Sequence, residues 1–190
     1  PWFIIVPLLS ILSASITHGL KNPPVRWMMI ASIFTASVGF YAFYALQPYL
    51  LELYGDATAY WVAGLAAALV AASQILGGVL APKIAALTKK RTSSIIGLTV
   101  ISSVVLVLLG ATNNFWFALV LVAVWGLSFA AVMPVRQAYL NGMIPSKQRA
   151  TVLSFDSLMG NSGGIVFQPA LGKAADIYSY GTSLVIGGLL

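Results

Sequence analysis

The sequence predicts an all-α membrane protein, a polytopic bundle of transmembrane helices. Three observations carry this. Trp27–Leu51, Ala57–Pro82 and Thr92–Val135 contain no Asp, Glu, Lys, Arg or His, and Ala150–Gly172 contains only Asp156. Hydrophobic residues make up 59% of the chain and charged residues 7%, whereas a soluble domain carries about 25% charged residues. The bases cluster. Lys21, Arg26, Lys83, Lys89, Lys90, Arg91, Arg136, Lys147 and Arg149 lie in or beside three gaps between apolar blocks. An even number of spans separates those gaps, so all three face one side. The other gaps hold Glu52, Asp56, Asp176 and one base, Lys173. Basic loops stay in the cytoplasm, which orients the bundle.

About 20 apolar residues cross the hydrocarbon core. The expectation is five complete spans, near 27–51, 60–81, 94–111, 115–133 and 151–171, and a sixth, 182–190, cut off at Leu190. Residues 1–21 form a separate cytoplasmic linker or interfacial helix, or else the last turns of a preceding span; residues 22–190 form the bundle. Asn22-Pro23-Pro24 breaks the chain before the first span, because proline removes a donor and restricts the residue before it.

The first span carries aromatic residues toward its outer end, among them Tyr41, Tyr44 and Tyr49, and a bend is expected where Gln47 meets Pro48. In the second, Gly64, Ala68 and Ala72 recur every fourth position, a spacing that lets helices approach closely in lipid. Gln74 follows in the same span and needs a partner or water. The third, rich in Val, Leu and Ile, reads as a lipid-facing outer helix. The fourth carries Trp125 at mid-depth, where it packs or lines a cavity, and is expected to end at Pro134. The fifth is the most polar, with Ser154, Asp156, Ser157, Asn161, Ser162 and Gln168. Such a helix lines a water-filled space or packs on an equally polar partner.

Several function classes recede. The net charge is +6, but the bases sit between spans instead of mixing with aromatics on one face, so nucleic acid is not the partner. Anionic lipid headgroups suit them better. There are no cysteines and one histidine, His18, which leaves no metal-site pattern; no cofactor is expected. Gly160-Asn161-Ser162-Gly163-Gly164 fits the G-x-S-x-G turn of serine hydrolases. A nucleophile needs a base within hydrogen-bond reach, and His18 precedes the first span while Ser162 is mid-span. An intramembrane serine hydrolase of rhomboid type, using Ser162, is the alternative function, and a non-transporting membrane scaffold a further one. Asp156 follows Arg149 by about two helical turns, so the two share a face; the expectation is a structural ion pair near the cytoplasmic end or, alternatively, a gate latch or proton-coupling carboxylate at Asp156.

Gly78-Val79-Leu80-Ala81-Pro82-Lys83, followed by Lys89-Lys90-Arg91, resembles the cytoplasmic loop signature of the major facilitator superfamily, G-x-x-x-D-R-x-G-R-[RK]. Pro82 stands at the signature's Asp. Pro134-Val135-Arg136, Asn141, Ile144-Pro145 through Ser154, and Pro169-Ala170-Leu171-Gly172 with Asp176 and Gly181 are similar to the last loops of that family's C-terminal half. The resemblance implies a half-transporter whose missing N-terminal six-helix half completes a substrate site near the bilayer midplane. It implies a secondary active transporter of a small molecule, not an enzyme, working by alternating access. Efflux by proton antiport across a bacterial inner membrane is the expected mode. The lining residues it implies are Tyr41, Tyr44, Gln47, Gln74, Trp125, Asn161 and Gln168, with Asp156, Arg149 and Arg136 as gate or coupling residues.

Overall fold

A computed structural model describes residues 11, 13 and 15–190 of the chain. Among these, the regular structure is helical throughout. Six helices run back and forth: α1 (Pro23–Tyr54), α2 (Tyr60–Ala86), α3 (Arg91–Ala111), α4 (Phe115–Met143), α5 (Arg149–Ile177) and α6 (Tyr180–Leu189). The linker expected over residues 1–21 falls largely outside the described residues. Its described end, Ile16–Leu20, is one wide π-helical turn. Buried Gly19 rests there between Met29 on α1 and Val152 on α5.

Local chemistry sets the helix ends. Asn22 is extended and Pro23-Pro24 fill the first turn of α1, where a missing N–H costs nothing. Gly55 closes α1 with φ 83°, a left-handed conformation open to glycine. Asn114 caps α4 by accepting from Phe117 N at 3.0 Å, and Ser179 caps α6 by accepting from Thr182 N at 3.0 Å. Pro134 does not end its helix as expected. α4 continues to Met143, since an exposed proline forfeits one backbone bond and leaves the flanking turns intact.

Helices α1 to α4 are long and apolar enough to cross a membrane. α5 matches α4 in length, at 29 residues, yet Asp156 and its neutral polar residues keep it out of that set. By length and composition four of the five expected complete spans meet that mark, and the fifth lies in a helix of sufficient length but more polar composition.

The helices form two three-helix units of opposite direction. α1 starts at the end that carries the basic loops and α4 at the opposite end. The second helix of each unit packs on the first helix of the other, α2 on α4 and α5 on α1, while α3 packs on α4 and α6. Both cross-unit contacts are made by the first residue of a Gly-Gly pair. A methyl group at Gly77 would overlap the carbonyl oxygen of Leu127 on α4, and one at Gly163 would overlap the carbonyl oxygen of Ile33 on α1. Backbones this close gain dispersion contacts where lipid offers no hydrophobic drive.

The largest apolar cluster fills the middle and the acidic end, with Leu46, Leu50, Val62, Leu109, Val122 and Trp125. A smaller one seals the basic end with Val25, Met29, Leu140, Ile144 and Val152. α3 turns Ile96, Val100, Ile101, Val104 and Leu108 outward.

Candidate functional site

A cavity of about 450 Å³ opens between α1, α4 and α5 and reaches α3 and α6. Its wall is apolar and aromatic, with Phe34 and Phe40 from α1 and Trp125, Phe129 and Met133 from α4. Trp125 and Phe129 share a face because they are four residues apart, and their rings stack with centroids 5.4 Å apart and planes 19° apart. The polar lining comes from Ser32 on α1 and from Ser157 and Asn161 on α5, with hydroxyls of α3 beyond.

One charged pair closes the basic end of the cavity. Arg136 on α4 grips Asp156 on α5 with both arms, Nη1 to Oδ2 at 2.7 Å and Nη2 to Oδ1 at 2.6 Å. Nη2 also donates to the carbonyl of Met28 on α1 at 3.0 Å. The clamp therefore joins all three cavity helices. Both side chains are largely buried, 14% and 8% exposed, so their attraction is weakly screened.

This geometry corrects the pair expected between Asp156 and Arg149. The two share a helix face but lie about 10 Å apart along the axis. Arg149 instead donates to the carbonyl of Asn141 at 2.9 Å and secures the end of α4.

The residues read as cavity-lining divide. Trp125 and Asn161 line the cavity, and Asp156 and Arg136 stand at its floor. Tyr41 does not line it: buried between α1, α5 and α6, its hydroxyl lies 2.6 Å from Ser183 Oγ and 3.2 Å from the carbonyl of Leu171. Tyr44 points outward at 66% exposure. Gln47 and Gln74 are half-buried away from the cavity, and the side chain of Gln168 lies across Gly164. A continuous helix wheel does not say which face meets which neighbour, so residue type and the family resemblance do not separate these five from true lining residues. Gly78 faces open space. Lys83, Lys89 and Lys90 are exposed, and Arg91 donates to the carbonyl of Ala138 at 3.0 Å, tying the α2–α3 loop to α4. Phe129 and Ser32 also line the cavity and were not among the expected residues; the four-residue spacing of Phe129 from Trp125 was the available signal.

Ser162 is exposed on α5 and donates to Met159 O of its own helix at 2.7 Å. It sits about 20 Å along α5 from the basic end, while His18, the sole histidine, precedes α1 at that end. No base serves it among the described residues.

Long apolar helices folded around an internal cavity define a multi-pass integral membrane protein. The family model described as Major Facilitator Superfamily matches residues 5–168, and the chain belongs to that superfamily. Its members are membrane transporters, which disfavours the hydrolase alternative. No curated protein matches the chain.

Proposed function

We propose that this chain is one six-helix half of a secondary active transporter and that the cavity between α1, α4 and α5 is its wall of the substrate site. The observation that carries this is the cavity itself, apolar and aromatic with sparse neutral polar groups and floored by a buried ion pair. Ligand sites have this character. A second six-helix half completes the site, and transport proceeds by rocking of the halves. The outward-turned side chains of α2 and α5, such as Leu76, Val79, Leu158 and Ile165, are then covered by that half or by lipid.

The direction we favour is efflux coupled to proton entry across a bacterial inner membrane, with the basic loops inside. Asp156 and Arg136 serve as the latch at the cytoplasmic end. Opening the clamp frees α1, α4 and α5 from one another at that end, and closing it seals the cavity from below.

The test is efflux from vesicles containing the full-length protein, loaded with a panel of radiolabelled uncharged amphiphiles, with and without an imposed proton gradient. At least one solute should leave saturably and faster under the gradient, and Asn161→Leu should change its half-saturation. Rates equal to those of protein-free vesicles for the whole panel would contradict the reading.

A further inference from the structure

We infer that the α2–α3 loop is a docking site for an anionic phospholipid, with Lys89, Lys90 and the free arm of Arg91 at the headgroup phosphate and Leu87 among the acyl chains. The site lies on the membrane-facing surface and stands whether or not the cavity carries a substrate.

The charge of this loop has no counterpart within the chain. From Lys83 to Arg91 it holds four bases and no acid, and Pro82 stands where the loop signature carries Asp. The chain has four acidic residues in all. Glu52, Asp56 and Asp176 lie at the opposite end, and both oxygens of Asp156 are taken by Arg136. Lys89 and Lys90 are exposed and make no ion pair among the described residues. Uncompensated bases beside a membrane draw anionic headgroups to them.

The loop is held ready for a ligand. Thr88 donates to the carbonyl of Lys90 at 3.0 Å, and its hydroxyl lies 2.5 Å from Ser94 Oγ. Lys90 is extended, with φ −132° and ψ 132°, just before α3 begins. Arg91 Nη1 is tied to Ala138 O at 3.0 Å, which leaves Nη2 open to a phosphate oxygen. The backbone that carries the three bases is thus ordered before a headgroup arrives, and binding does not bear that cost.

The apolar neighbours favour a lipid over free phosphate. Leu87, two residues before Lys89, is 85% exposed, the most of any large apolar side chain among the described residues. Ile96 and Val100 continue an outward apolar track along α3 from the loop. A soluble anion has no use for these side chains, whereas acyl chains cover them. The α4–α5 loop, at the same end, lacks the arrangement: Arg149 turns to Asn141 O and leaves Lys147 as the exposed base.

The experiment titrates the full-length protein in detergent with phosphatidylglycerol and with phosphatidylcholine of the same chains, and counts bound lipid by native mass spectrometry. Phosphatidylglycerol should bind about tenfold or more tightly. One base near anionic lipid is worth about a factor of five, so Lys89→Gln and Lys90→Gln should each weaken its binding about fivefold and the double variant about 25-fold. Lys89→Arg and Lys90→Arg, which keep the charge, should bind as the unaltered protein does, and Lys147→Gln should leave binding nearly unchanged. Leu87→Ser removes no charge and should weaken both lipids. Equal affinity for the two lipids would overturn the inference. So would a loss in Lys147→Gln as large as in the double variant, or displacement of the lipid by millimolar inorganic phosphate at constant ionic strength.

Discussion

Arg136 and Asp156, twenty positions apart on neighbouring helices, meet in a two-armed ion pair with both contacts at or below 2.7 Å. The pair lies about 10 Å inside the basic end and also holds the carbonyl of Met28. Removing one member leaves a buried charge without compensation, at a cost of about 3–5 kcal/mol. Asp156→Asn and Arg136→Met should therefore each lower the thermal midpoint of the detergent-solubilised protein. Exchanging the two charges, Arg136→Asp with Asp156→Arg, should recover part of the loss, whereas Arg149→Asp with Asp156→Arg should recover none. Recovery by the Arg149 exchange would restore the pairing that the structure overturns.

The α1–α5 seam should be intolerant of side chains at Gly163. Besides Ile33 O, a methyl group there would come within 2.8 Å of Ile33 Cγ2. Gly163→Val should cost about 1–3 kcal/mol from overpacking and lower the folded yield in size-exclusion chromatography. Gly78→Ala, which meets open space, is the control and should be neutral or slightly stabilising. Equal loss in both variants would show that the seam is looser than described.

Much of the fold could be read from the sequence, because charge-free runs of sufficient length have few destinations other than lipid. The start of the first span was also legible, at Asn22-Pro23-Pro24, whereas Pro134, expected as an end, lies inside α4. Partner choice was not legible. A membrane helix is apolar on most faces, so its periodicity does not single out the packed side as it does in water. Hence Tyr41, which cements α1 to α5 and α6, and Tyr44, which points outward, read alike. Asp156 was paired with the base nearest in sequence, since nothing local announces a partner on another helix. The two Gly-Gly pairs were visible, but their equivalent roles emerge only when each is seen against the opposite unit.

Tyr41→Phe should cost about 1–2 kcal/mol by removing the hydroxyl that meets Leu171 O and Ser183 Oγ. Because Tyr41 is away from the cavity, this variant should lower the thermal midpoint while leaving the half-saturation of the transported solute unchanged. A changed half-saturation with unchanged stability would place Tyr41 in the site instead.

Asp56, in the loop between α1 and α2, accepts from the hydroxyl of Thr58 at 2.7 Å and from its backbone N–H at 2.8 Å. These bonds hold its carboxyl below the usual value of 3.8. A depressed folded-state value means that the loop contact is fully present above the ordinary carboxylate range and is lost as pH falls through the lowered value. An NMR titration of Asp56 should give a midpoint below that range, and Thr58→Val should move it upward. A midpoint at or above the ordinary value in the unaltered protein would show that the turn is not formed.

The most direct test of the central claim, that α5 lines the aqueous pathway while α3 faces lipid, is cysteine accessibility in the full-length protein. These residues contain no native cysteine. Asn161→Cys and Val104→Cys are compared for reaction with a membrane-impermeant maleimide applied to either side of sealed vesicles. The account predicts reaction at position 161 from at least one side and protection at position 104 from both. Protection at 161 together with reaction at 104 would contradict it.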